Sequence, residues 1–282
     1  MNPMTHSPAL ALLLAVLCTP VLAGQKPLWE AGAGIGVLDF PDYRGSDERS
    51  SLVIPIPYFV YRGEFLRIER NSVRGRMFES ETYDLDMSLN ASIPVDSDDN
   101  KARAGMPDLD PALELGPVLK VHLTRDDQRK YMLDFRLPVR AVITTELEHI
   151  GWVAHPNLNL DVADPLGRAG WRLGMLAGPM FGDRKYHDYF YSVDPSFATP
   201  QRPAFKARGG YAGSELIVAL SKRYPKFWVG SFVKLDTLSS ARFEDSPLVK
   251  DKSLYTAGFA ISWIFAESKT MVEVESRENS AN

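Results

Sequence analysis

The side chains able to do chemistry are few and scattered. Five histidines, His6, His122, His149, His155 and His187, are spread along the chain, and none sits in an H-E-x-x-H helix or beside a serine elbow. Acid/base work by His122 or His155 would need an orienting partner and a reacting group within hydrogen-bond reach, and no spacing supplies them. Both read as structural histidines. Asp96, Asp98, Asp99 and Asn100 open like a calcium loop, but the glycine and distal glutamate required at fixed spacing are missing, so a solvated loop tip is expected. The single cysteine, Cys18, lies in the only long apolar run. The sequence therefore predicts no catalytic, cofactor or metal site, and no enzyme.

That apolar run decides where the chain goes. Ala9 to Leu17 reads ALALLLAVL, followed by Pro20 and by Val21-Leu22-Ala23 before Gly24. A core this short, ending in small residues, is a secretory signal covering residues 1–23, and it falls short of the roughly 20 residues a spanning helix needs. Leu17 stands where a lipoprotein would carry a small residue. Lys+Arg 32 against Asp+Glu 36 gives a net charge of -4, without the basic excess that tracking phosphates demands, so nucleic acid is excluded as a partner.

The elements that must position everything else are strands. Tyr83, Leu85, Met87, Leu89, Ala91, Ile93 and Val95 alternate with Asp84, Asp86, Ser88, Asn90, Ser92 and Pro94, the period-two signature of a two-faced strand. Tyr131 to Ile143 repeats it, with Asp134, Arg136, Pro138 and Arg140 on the polar face, and so does Ile150 to Val162, with His155, Asn157, Asn159 and Asp161. Runs of about 13 residues exceed the roughly 5–6 of soluble strands and fit a tilted bilayer crossing of about 9–11. Weaker runs fill the rest, and long charged connections (39–50, 96–111, 183–207, 238–252) alternate with tight ones, as outside loops and periplasmic turns do. The fold class read from this is all-β, a transmembrane antiparallel β-barrel of about twelve strands over residues 24–265. Twelve requires 64–78 to be a short hairpin turning at Asn71-Ser72; if it is one irregular strand, ten is the alternative count. Tyr58, Phe59, Tyr61, Tyr131, Trp152, Trp171, Phe227, Trp228, Trp263 and Phe265 are expected as aromatic girdles at the headgroups.

Inside such a barrel the lumen-facing candidates are Asp134, Arg136, Arg140, His155 and Asp161, with His122 beside them. At this strand number, cross-strand pairing that fills the lumen is favoured over an open pore. The tyrosine-rich stretch around Tyr186, Tyr189, Phe190 and Tyr191 belongs to an outer loop, where it packs on the barrel rim or meets another protein.

Tyr186-His187-Asp188-Tyr189-Phe190-Tyr191-Ser192-Val193, the Gly209-Gly210-Tyr211 that follows, Asp245-Ser246-Pro247-Leu248-Val249, and the early Gly32-Ala33-Gly34, Asp42-Tyr43-Arg44-Gly45-Ser46 and Pro55-Ile56-Pro57-Tyr58 together resemble the MipA/OmpV family of Gram-negative outer-membrane proteins, over essentially the whole mature chain. The resemblance implies a non-enzymatic scaffold in the outer-membrane lipid, with a murein lytic transglycosylase and a bifunctional penicillin-binding protein as partners in cell-wall assembly. A small-solute or stress-related channel, or an adhesin acting through outer loops, is the alternative. One departure stands out: such barrels usually end on an aromatic residue, whereas Phe265 is followed by a charged stretch, 266–282, expected as a periplasmic tail.

Overall fold

Alternating residues force alternating faces, and the structure, a computed structural model, builds nearly the whole chain on that rule. It describes residues 24–63, 66–69, 72–126 and 130–274. The expected signal and residues 275–282 lie outside this description. After the short β1 (Gly24–Pro27), the long β2 (Trp29–Pro41) and β3 (Arg49–Arg62) lead into a short hairpin of β4 (Leu66–Glu69) and β5 (Ser72–Glu79). Then follow β6 (Tyr83–Ser92), β7 (Ala112–Asp126), β8 (Tyr131–Thr144), β9 (His149–Ala154) and β10 (Asn157–Ala163). The last part holds β11 (Trp171–Gly182), helix α1 (Arg184–Tyr191), β12 (Gly210–Arg223), β13 (Phe227–Thr237), β14 (Ser253–Glu267) and β15 (Met271–Val274).

Each strand from β2 to β14 pairs antiparallel with its neighbours, and β14 pairs with β2, closing the sheet on itself. β9 and β10 form one stave of this wall. Val139 opposite Ala154 and Arg136 opposite Asn157 keep a single frame along β8, and His155 N donates to Pro138 O at 3.2 Å across the break. Pro156, which has no N–H, explains the interruption. Counted so, the thirteen strands of the sheet make a barrel of twelve.

Register fixes which face is which. Phe259, Trp263, Val53 and Leu115 point outward and stay about half exposed, while their sequence neighbours face the lumen. An apolar belt of this extent is a bilayer-facing surface. At the short-turn end the expected girdle residues Phe59, Tyr61, Tyr131, Trp171, Phe227, Trp263 and Phe265 sit on outward positions, joined by Tyr83, while Trp152 faces outward near the long-loop end. Tyr58 and Trp228 do not belong to it, because their parity turns them inward beside Gly32 and Ser262.

In the short hairpin Glu69 pairs with Ser72, and Asn71 of the expected turn lies outside the described residues. Two further details differ from the sequence reading. A register shift between Val142 and Ile143 takes Ile150 off the lipid face and buries it at the loop end. β14 runs on to Glu267, and Met271–Val274 pairs with Gly24–Pro27, so the tail begins as a ladder that ties both ends of the described chain to the short-turn rim.

Candidate functional site

The lumen is organised in three levels. At the short-turn end Glu30 is buried between two guanidinium groups, Arg62 at 3.0 Å and Arg223 at 3.0 Å, and accepts from the Tyr58 hydroxyl at 3.2 Å. A buried carboxylate needs such partners, since desolvation otherwise costs several kcal/mol.

The middle level is one charged wall, carried by β6, β7, β8 and β10. Lys120 pairs with Asp86; Arg140 donates to Ser88 at 3.0 Å and to Glu114 at 3.3 Å. Arg136 bridges Asp134 at 3.1 Å and Asp161 at 3.4 Å, and Asn159 donates to Asp161 at 2.6 Å. His122 lies between two carboxylates, Asp134 at 3.0 Å and Asp84 at 3.2 Å, and His155 lies 3.3 Å from Glu215. The structure thus gathers all five lumen candidates onto inward positions and ties each to a neighbouring charge. Among the described residues no nucleophile is held against His122 or His155; their partners are carboxylates. Among the described residues no group of three His, Cys, Asp or Glu could hold a metal ion. The Asp96 cluster holds its loop and ties it to the loop after β2: Asp96 accepts from Asp98 N at 3.0 Å, and Asn100 donates to Asp42 at 2.9 Å and to Ser46 at 3.1 Å.

The third level is a cap over the long-loop end. Here the tyrosine-rich stretch is helix α1, started by Asp183, whose side chain accepts from Tyr186 N at 2.8 Å, an N-cap that satisfies one of the orphan donors of the first turn. The helix presents Tyr186, His187 and Tyr191 to the interior. Tyr186 packs on Val142, Ile150 and Val153 of the barrel wall. This close approach needs Gly151, whose φ is +133° and where a Cβ would stand 2.4 Å from Tyr186 N. Tyr191 stacks on Phe243 at 3.6 Å, and its hydroxyl donates to Arg44 O at 2.9 Å. His187, fully buried, makes a 2.6 Å contact through Nδ1 to Arg208 O and packs edge-on against Phe243. Tyr43 donates to Leu248 O at 2.6 Å, and Ser246 to Tyr191 O at 2.7 Å.

Burial sets the charge states of the cap. It pushes the Tyr43, Tyr186 and Tyr191 phenols up, so they stay neutral donors, and pushes His187 down, so its ring stays neutral. For Arg44 burial opposes the charge, and Asp236 at 2.8 Å outweighs it, raising the guanidinium above its ordinary value.

A family model described as MltA-interacting protein MipA matches residues 33–265. The chain belongs to that family. It is an outer-membrane protein, as the family match and the closed, lipid-faced barrel agree. No curated protein matches it. Among solved structures it is similar to a bacterial polysaccharide outer membrane secretin, at 9% identity over 84% of this chain and 99% of that one with a TM-score of 0.41. It is also similar to the COG4313 outer membrane channel from Pseudomonas putida F1, at 9% identity over 88% and 99% with a TM-score of 0.37. A third is the outer membrane channel DcaP of Acinetobacter baumannii, at 11% over 86% and 98% with a TM-score of 0.32.

The MipA-like stretches of the sequence meet in space. Asp42 to Ser46, Tyr186 to Val193 and Asp245 to Val249 are the three pieces that lock the cap. Tyr189 and Phe190, singled out with Tyr186 and Tyr191, pack on the same core, and Tyr189 Oη accepts from Asp110 N at 2.8 Å. The tyrosines therefore face inward as a plug. The Arg44–Asp236 pair and the Glu30 clamp carried no sequence signal of their own.

Proposed function

We propose that this MipA-family protein is a capped, non-enzymatic outer-membrane barrel that serves as a docking platform for a murein lytic transglycosylase, with a penicillin-binding protein as a second partner in cell-wall assembly. The observation that carries the reading is the cap: Tyr186, Tyr191, Phe243 and Leu248 close the long-loop end with a packed core, an arrangement suited to a fixed scaffold and unsuited to diffusion. The family's printed name, MltA-interacting protein, supports the partner class. With short turns on the periplasmic side, the surface offered to such an enzyme is the short-turn rim, where the β1–β15 ladder is reinforced by Leu28 N donating to Thr270 O at 2.9 Å and Ser268 N to Trp29 O at 2.9 Å.

The test pairs two measurements. In planar bilayers the full chain should show no steady conductance. In co-purification from envelopes, removing 271–282 should weaken recovery of the transglycosylase, while Tyr189→Phe in the cap should leave it unchanged. Steady open-channel current, or loss on the cap change with the rim indifferent, overturns the scaffold in favour of the channel or the adhesin.

A further inference from the structure

We infer that the lumen holds a side-entry binding site for the aliphatic chain of a membrane amphiphile, reached through a slit in the wall between β3 and β6. Among the described residues β3 is paired on the side away from β2 only at Tyr61 and Arg62, and β5 pairs with β6 only from Asp84 to Met87. Arg49 to Val60 and Ser88 to Ser92 thus border an opening above the short hairpin. Their inward side chains confirm it. Leu52 and Ile54 are each 38% exposed although they face the lumen, and Asn90 across the opening is exposed too, whereas the inward residues of β12, of β13 and of β14 as far as Ile264 are not. Over the top, the loop after β6 reaches the loop after β2 through Asn100 and through Lys101, 2.8 Å from Glu48.

The open edge is built to stay open. Arg62 N donates to Leu28 O on the β2 side at 2.8 Å, and the register from Arg62 back to Arg49 is unbroken, so even-numbered residues aim their N–H at β2 and odd-numbered ones at the slit. Pro55 and Pro57 are odd. They remove two donors from the free edge, as prolines do where strand addition must be prevented. A second copy adding its own strand here would find those positions blank. Behind this edge the inward Ile54 and Ile56 line a cavity.

That cavity measures about 530 Å³ and is walled by Gly36, Ile54, Ile56, Ile217, Phe232 and Ala260, with Arg172 and Asp161 at its polar side. It falls within the roughly 300–1,000 Å³ of small-molecule sites. The Ser262 hydroxyl, fully buried and without a hydrogen-bond partner, lines it as well. The charged wall of the lumen is opposite, so the chamber has one apolar and one polar side. Outside the slit is bilayer, because Val53 on the outer face of β3 is 66% exposed and apolar. Water-borne solutes meet the cap; acyl chains meet the slit. The occupant that both the apolar wall and the lateral mouth select is a single aliphatic chain with a small polar head.

The test uses the full chain in phosphatidylcholine vesicles containing a diazirine-bearing palmitate, with label sites mapped by peptide mass spectrometry. Entry predicts label on the inward Ile54, Ile56 and Phe232 as well as on the outward Val53 and Phe259. Ala260→Trp, which fills the cavity from β14, should abolish the inward labels and spare the outward ones. Label confined to outward positions overturns the proposal, whether the protein is monomeric or its β3 edge is covered by a second copy; inward label undiminished in Ala260→Trp overturns it too. Should Ala260→Trp fail to show heat-modifiable migration, Ala219→Trp fills the same space from β12, and the inward or outward parity of the wild-type labels decides on its own.

Discussion

The Tyr191 hydroxyl donates to the Arg44 carbonyl over 2.9 Å, joining two loops that lie 147 positions apart in sequence. One end of the bond belongs to α1 and the other to the loop after β2, so the contact exists only when the barrel has closed between β14 and β2 and the cap has settled. Tyr191→Phe removes one hydrogen bond and keeps the stack on Phe243, and should cost about 0.5–1.5 kcal/mol. Tyr191→Ala also leaves a cavity and should cost about 3–5 kcal/mol. Urea unfolding in lipid vesicles, followed by tryptophan fluorescence, measures both; equal losses for the two variants would mean that the stack contributes nothing.

Acid should loosen the same cap. His187 is held neutral by burial, its folded value lying below the ordinary imidazole value of about 6.5. Because the unfolded ring takes up its proton first as pH falls, the stability present above about pH 6.5 is lost between that pH and the lowered folded value, and falls no further below it. Protease cleavage of the loop after β11 should rise across that window. His187→Asn retains an N–H that can donate to Arg208 O and cannot titrate, so its cleavage should be flat with pH over the same range.

Neighbouring positions on β6 should respond oppositely to one charge. Leu89 faces outward and Asn90 inward, where Asn90 donates to Glu114 at 3.2 Å. Leu89→Arg should cost about 2–4 kcal/mol near the midplane, while Asn90→Arg gains a carboxylate partner and should fold nearly as well as the wild type. Heat-modifiable migration after refolding separates them, and comparable failure of both would put β6 in the wrong phase.

How much of this was legible in the sequence follows from what period two can and cannot encode. The alternation in Tyr83 to Ser92 and Tyr131 to Thr144 marked these strands and their lumen faces, down to Asp134, Arg136 and Arg140, because lipid on one side punishes any exception. The partners of those charges were not legible, since Arg136 meets Asp161 only through the register of β8 with β10. Tyr58 and Trp228 fall within aromatic clusters at strand ends, so clustering points them to the girdle while parity turns them inward. The eight-residue helix was hidden in an aromatic run, although Asp183 ahead of Tyr186, His187, Phe190 and Tyr191, spaced as one helical face, was its trace. The slit was invisible for another reason: an edge is defined by a missing neighbour, and only Pro55 and Pro57 hinted at it.

Those prolines allow a test of the edge itself. Pro55→Val with Pro57→Val returns two N–H groups to the side of β3 that faces away from β2, without altering the ladder to β2, whose donors come from the even positions. Valine also suits a strand better than proline does. The restored edge from Arg49 to Val60 would then be long, flat and apolar, the kind that recruits another strand. The doubly substituted protein should refold as a barrel and associate in detergent, with cross-links between copies concentrated at Val53 and Phe59, while the wild type stays monomeric under the same conditions. Size-exclusion chromatography with light scattering reads the difference. Equal masses for the two proteins would mean that something other than the missing donors keeps the β3 edge unpaired.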